Sequence, residues 1–113
     1  MINWSECLGF TPKRFYYLYN LPVDARRAGH AHWKEQEVIL ALHGSFTVRV
    51  DDGTDSHEYR MGRPDLGLLL PPGWWHELYD FYHDSVCAVF SSETYNPKDY
   101  CRDYQAFVQW RGR

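Results

Sequence analysis

Two histidines stand two residues apart, His30 and His32, after Arg27-Ala28-Gly29 and ahead of a long strand-forming run. In an extended chain, a period of two puts both imidazoles on one face of a sheet and Ala31 on the other. Two convergent imidazoles either ligate a metal or pass protons, because imidazole is the one side chain whose ordinary pKa lies near neutrality. Taken alone, a His-x-His is read equally well as one hydrogen-bonded wall residue and one solvated residue, since short motifs often match by chance. The neighbours shift that balance. Glu37 lies five residues beyond His32, Gly44 seven beyond Glu37, and farther along comes Pro71-x-Gly73-x-x-His76.

The elements that must position these groups are short strands. Lys13 to Asn20 is dense in tyrosine and phenylalanine and ends at Asn20, Pro22 and Asp24. Val38 to Leu42 reads as a buried strand closed by His43-Gly44, and Phe46, Val48 and Val50 alternate with Ser45, Thr47 and Arg49. Asp51-Asp52-Gly53 signals a hairpin into a second alternating strand around His57, Tyr59 and Met61. Gly67 to Leu70 ends at the turn Pro71-Pro72-Gly73, and Trp75 to Phe81 and Ser85 to Ser91 are further strands. Close turn signals between five or more strands predict an all-β sandwich or barrel. Only the tail departs, where Asn96-Pro97 reads as a helix start that sets Tyr100, Tyr104, Phe107 and Val108 on one helical face. The stretch from Met1 to Pro12 reads as a lead-in rather than a strong element.

A chain of 113 residues makes one domain, 1–113, with a single core. Hydrophobic residues at 44% and charged residues at 24% are ordinary for a globular protein, whereas aromatics at 18% suit a ring-lined cavity or a subunit contact. A net charge of −3 with no basic block gives no reason to expect nucleic acid. Cys7, Cys87 and Cys101 are odd in number and follow no Cys-x-x-Cys spacing, so neither a disulfide framework nor a zinc ribbon is expected, and a reducing, cytoplasmic compartment is. The longest apolar run, Leu66 to Pro72, is far too short to span a bilayer, and no basic-then-apolar signal opens the chain.

The order His-x-His, carboxylate, glycine, then Pro-x-Gly-x-x-His resembles the two motifs of the cupin superfamily, small double-stranded β-helix (jelly-roll) barrels. The match is partial: Asp24 stands where a glycine is expected, and the second motif ends in Asp80 rather than asparagine. In metal-binding cupins the matching positions, here His30, His32, Glu37 and His76, supply three imidazoles and a carboxylate that suit divalent iron, manganese, nickel or zinc. A closer likeness covers Lys13 to Phe107. The blocks KRFYYLYNLP, RAGHAHWK, LHGSFTVRVDDG, LLLPPGWWHELYDF and SSETYNPKDYCRDYQAF resemble, in order and spacing, the cupin-type sugar 3,4-ketoisomerases that act on dTDP-4-keto-6-deoxyglucose.

That resemblance implies a homodimeric jelly-roll barrel with a short C-terminal helix, a nucleotide-linked keto sugar of deoxysugar biosynthesis as substrate, no required metal, and proton transfer by His30 and His32. Arg14, Tyr16, Arg27, His76 and Tyr79 are the candidate substrate-contacting residues, and a divalent metal on His30, His32, Glu37 and His76 is the alternative. The family's Asp-x-Arg-Gly-like segment ahead of the tyrosine-rich strand has no counterpart in the twelve residues before Lys13, so the nucleotide is expected to be held differently or exchanged for another. At Gln36-Glu37 the family more often has glutamate followed by glutamine, so Glu37 adds a carboxylate at metal-ligand spacing. Elsewhere, structural roles are expected: Tyr17 and Tyr19 as wall residues, Arg26 as a solvated charge, Trp74 and Trp75 as a barrel-end cover, Cys87 as a buried small hydrophobe, and His43, His57 and His83 as exposed.

Overall fold

The computed structural model describes residues 1–4 and 8–112; Cys7, one of the three cysteines, lies outside the described residues. Ten strands, β1 (Ile2–Asn3), β2 (Arg14–Leu18), β3 (Arg27–His32), β4 (Glu37–His43), β5 (Phe46–Asp51), β6 (Ser56–Met61), β7 (Leu66–Leu70), β8 (Trp75–Tyr79), β9 (Val86–Ser91) and β10 (Tyr100–Cys101), precede one helix, α1 (Tyr104–Arg111). They form two five-stranded sheets of order β1-β7-β4-β9-β2 and β10-β3-β8-β5-β6, with every pairing antiparallel. This is the expected all-β jelly-roll barrel with its short C-terminal helix.

Alternation builds the interior. Phe46, Val48 and Val50 of β5 are buried, and the hairpin at Asp51-Asp52-Gly53 pairs Val50 with His57 and Phe46 with Met61. Gly44 makes the turn between β4 and β5 at φ 72°, where a Cβ would lie 2.8 Å from the Cα of Ser85, so this position needs glycine on two counts. The main core gathers Ile39, Phe46, Val48, Met61, Leu68, Leu70, Phe81 and Val89 between the sheets. Outside the barrel, Phe107 of α1 is fully buried against Ala31, Trp75 and Cys101, so the helix packs on the barrel wall. The lead-in contributes a short strand, β1, paired with β7.

The tail differs from the expected continuous helix. Asn96 does cap a helical turn, its side chain accepting from the Lys98 amide, but that turn is a single 3₁₀ segment, Pro97–Asp99. The Asp99 carboxylate accepts from the amides of Lys34 and Glu35, which ties this segment to the loop between β3 and β4. The chain then runs extended as β10 beside β3, and α1 starts only after Asp103, whose side chain accepts from the Gln105 amide. Tyr100 is therefore a strand residue, and its ring faces the histidines.

Candidate active site

Antiparallel register assembles the site. Tyr100 pairs with His32, and His30 pairs with His76, so rings from β10, β3 and β8 share one face of their sheet. Their centroids lie 4.8 Å apart for His30 and His32, 4.7 Å for His30 and His76, 4.7 Å for His30 and Tyr100, and 4.4 Å for His32 and Tyr100. From the facing sheet come Glu37 of β4 and Arg14 and Tyr16 of β2, placed through register with β9, where Ser91 pairs with both Glu37 and Arg14 and Val89 pairs with Tyr16.

Glu37 is the hub. The Tyr16 hydroxyl donates to its Oε2 at 3.1 Å, His76 Nε2 lies 3.4 Å from Oε1, and His32 Nδ1 lies 3.8 Å from the same oxygen. The other nitrogen of His32 faces a second buried carboxylate, Glu35 Oε2, at 3.5 Å. Arg14 donates to Glu35 at 3.1 Å and to the Tyr100 hydroxyl at 3.3 Å. His76 Nδ1 sits 3.2 Å from the Trp74 carbonyl, so both its ring nitrogens face oxygen. Each of these groups is almost wholly removed from water: His32 and His76 are 2% exposed, and Glu35 and Glu37 are 1% exposed.

Burial sets the charge states. Desolvation, with the charges of His76 and His32 adding to it, lowers the pKa of His30 to about 3. Desolvation also lowers that of His32 to about 4, against the opposing pull of Glu37. The two carboxylates behave as a coupled pair. Burial and then Glu37 itself raise the Glu35 carboxyl, whereas the hydrogen bond and charge of His76, with His32, hold Glu37 below the ordinary range in spite of its burial. Burial and the Glu37 charge keep Tyr16 protonated. The site thus offers neutral imidazoles, one carboxylate and a phenol donor around one space.

That space is a cavity of about 160 Å3 whose polar wall is Tyr16, Arg27, His30, Glu37 and His76 and whose remainder is largely aliphatic. Arg27 reaches it because of a bulge. The register shifts between Ala28 and His30, where Ala28 and Gly29 both have positive φ, so Arg27 pairs with Leu78 while His30 pairs with His76 and both face inward. His32 does not line the cavity; it stands behind, between the two carboxylates. Arg14 does not line it either and is engaged by Glu35 and Tyr100. Tyr79 lies on the opposite face of β8 from His76 and Leu78, its ring under the Arg26 guanidinium at 4.5 Å. It is therefore no cavity residue, for the plain reason that strand side chains alternate.

The predicted metal quartet does not meet at one point. Ligand atoms within 4.8 Å of one another form two triads, His30-His32-His76 and His32-Glu35-Glu37. Nitrogen and carboxylate donors of this kind suit a divalent transition metal.

The family model FdtA: WxcM-like, C-terminal, matches residues 1–112. The chain belongs to this family. It is 38% identical over 109 residues to TDP-4-oxo-6-deoxy-alpha-D-glucose-3,4-oxoisomerase of Aneurinibacillus thermoaerophilus, covering 96% of this chain and 78% of that one. The fold superposes on the 3,4-ketoisomerase QdtA of Thermoanaerobacterium thermosaccharolyticum, solved as a histidine-to-asparagine mutant with TDP-4-keto-6-deoxyglucose, with a TM-score of 0.89, 30% identity, and 90% of this chain against 74% of that one. For WlaRA, a TDP-fucose-3,4-ketoisomerase of Campylobacter jejuni, the TM-score is 0.88 at 28% identity, with 90% and 76% covered.

Two residues of the FdtA-like site escape sequence reasoning. Glu35 follows His32 at i+3, the wrong parity for an uninterrupted strand, and enters the site only because the β3–β4 loop folds it in. Tyr100 is assigned to a helix by its spacing from Tyr104 and Phe107. The signal for it was Asp99-Tyr100-Cys101, where an apolar pair follows a cap that a longer helix would not need.

Proposed function

We propose that this chain is a sugar-nucleotide 3,4-ketoisomerase that moves the carbonyl of a dTDP-4-keto-6-deoxyhexose from C4 to C3 without a metal. The observation that carries this reading is a neutral imidazole, His30, on the wall of a cavity that also presents a protonated phenol, Tyr16. The C3 hydrogen is acidified by the neighbouring ketone, and a neutral imidazole removes it. The enediol that results is reprotonated at C4, which completes the shift with no net loss or gain of atoms. Tyr16 and Arg27 supply the donor and the positive charge that a developing enolate oxygen requires. His32, held between Glu35 and Glu37, acts with His30 by fixing its ring and the local proton arrangement. Sugar carbons rest on the aliphatic part of the lining.

Further parts of the reading are a homodimer and a cytoplasmic location. Phe15, Tyr17 and Tyr19 are 49%, 55% and 66% exposed on β2, an edge strand, and continue through Phe90 to Trp4. Such an aromatic edge supports pairing of two barrels. Among the described residues no helix is long and apolar enough to cross a membrane, and Cys87 and Cys101 are free thiols, which supports a reducing compartment.

The test is a proton NMR time course in deuterated water with chelator-treated protein and dTDP-4-keto-6-deoxyglucose. A 3-keto product carrying deuterium at C4 is expected. Folded protein that gives neither exchange nor product overturns the reading. The two ligand triads support a second one, a cation-holding cupin without this activity, which stoichiometric metal in the purified protein would favour.

A further inference from the structure

The arginines of this chain are not equivalent. Among the described residues, Arg14, Arg26, Arg49, Arg60 and Arg63 each pair with a carboxylate. Arg27 and Arg102 have none. Arg27 donates to the neighbouring carbonyl of Arg26, and Arg102 lies with its guanidinium 4.6 Å above the ring of Tyr100. Both are exposed, and both belong to the same corner of the barrel.

Register locates them. Tyr100 pairs with His32 and Cys101 with Ala31, so one more residue sets Arg102 beside His30. Alternation then returns its side chain to the Tyr100 face, while Cys101 points to the outer cluster with Phe107. The bulge at Gly29 turns Arg27 onto that same face, three residues from His30, or about 10 Å of strand. The charge of Arg102 is felt at His30, where it adds to burial and the neighbouring histidines in disfavouring the imidazolium. Two unpaired guanidinium groups thus flank the mouth of the cavity from two different strands.

The cavity, at about 160 Å3, is well below the 300 to 1,000 Å3 typical of pockets that hold a whole drug-sized ligand. A sugar ring fits inside and the remainder of a nucleotide sugar lies outside, which brings the linking diphosphate to the mouth. We propose that Arg102, on its Tyr100 platform, and Arg27 clamp the diphosphate of the substrate, with Arg102 as an additional substrate-binding residue. This rests on the nucleotide-sugar reading above. Guanidinium is suited to the task because its fork donates two parallel hydrogen bonds to phosphate oxygens, and the ring beneath Arg102 holds the fork in place.

The experiment is titration calorimetry of the whole chain with dTDP and, as the probe lacking phosphate, thymidine. Arg102→Leu is expected to weaken dTDP roughly tenfold or more while leaving thymidine unchanged, and Arg102→Lys to recover only part of the loss. With dTDP-4-keto-6-deoxyglucose, Arg102→Leu raises KM and spares kcat. Arg102 is exposed and touches no core residue, so both variants fold, which unchanged thermal melting verifies. An Arg102→Leu protein that binds dTDP within twofold of the wild type overturns the clamp, while wild-type turnover keeps the isomerase reading intact. A wild-type chain that neither binds dTDP nor isomerises the keto sugar overturns both.

Discussion

The inside of this barrel obeys one rule at one end and the opposite rule at the other. Along β2 the inward residues run Arg14, Tyr16, Leu18; along β4 they run Glu37, Ile39, Ala41; along β9, in reverse, Ser91, Val89, Cys87. The polar end holds five titratable groups that are nearly dry, and each answers a neighbour: Tyr16 and His76 on Glu37, Arg14 on Glu35, His32 between the two carboxylates. The apolar end is sealed by Phe46, Met61 and Phe81, all at most 1% exposed, with Phe46 and Phe81 stacked at 5.5 Å. One end is stabilised by removing carbon from water, and the other is tolerated because its charges and dipoles offset one another. Reactivity and rigidity are thus separated by about two residues of strand.

The largest way to sharpen this contrast is to change one group at each end. His30→Asn at the polar end is expected to cut kcat roughly 10²- to 10⁴-fold, the range for a lost general base, with the fold retained. Phe46→Ala at the apolar end is expected to cost about 3–5 kcal/mol of stability, and activity is lost only as the protein unfolds. Activity measured beside urea midpoints checks both. A His30→Asn enzyme with wild-type turnover, or a Phe46→Ala barrel with an unshifted midpoint, would erase the distinction.

Acid provides the next separation. His30 and His32 titrate at about 3 and about 4 in the fold, against 6.5 for an ordinary histidine. As pH falls, the unfolded chain therefore takes up protons first. The stability that these neutral rings contribute is complete above about pH 6.5 and is lost as pH drops toward the folded values, on the order of a few kcal/mol in all. Denaturant midpoints between pH 8 and 4 should fall along this limb, and His30→Asn should flatten it. Equal slopes for variant and wild type would show that the acid sensitivity comes from elsewhere.

Glu35 works in the opposite direction. Its pKa is raised by burial and by Glu37, so the fold holds its proton longer than the unfolded chain does. That contribution is complete below the ordinary carboxylate range near 4.5 and is lost as pH rises through the raised value. Glu35→Gln, which keeps shape and removes the titration, is expected to abolish the alkaline decline of stability, an effect of about 1–3 kcal/mol, while leaving the acid limb in place. An unchanged alkaline limb would show that Glu35 is ionised in the fold.

How much of this was legible beforehand follows from which residues obey a simple period. His30, His32 and the alternating Phe46, Val48 and Val50 sit in uninterrupted strands, and the hairpin at Asp51-Asp52-Gly53 announces its own geometry, so the barrel and the histidine pair are readable. His76 and Glu37 follow from motif spacing. Arg27 was chosen for its proximity to His30, yet strict alternation would have turned it outward, and only the bulge at Gly29 brings it in. Glu35 depends on a loop, and Tyr100 on a one-turn helix that stops because Asp99 is claimed by the amides of Lys34 and Glu35. These are long-range hydrogen bonds, which a local pattern does not encode.

Tyr16 and Tyr79 give the smallest and most discriminating test, because both were plausible substrate contacts and the strand faces separate them. Tyr16→Phe leaves Glu37 Oε2 without its donor in a dry site, which costs about 1–3 kcal/mol and perturbs turnover. Tyr79→Phe removes a hydroxyl from the outer face, where the ring keeps its Arg26 partner, so stability should move by less than about 0.5 kcal/mol with KM unchanged. A several-fold rise in KM for Tyr79→Phe would mean that the substrate reaches across the sheet edge to the outer face. If instead only Tyr16→Phe alters KM and kcat, substrate contact is confined to the inward polar end, and the alternation of β8 alone has decided which tyrosine takes part.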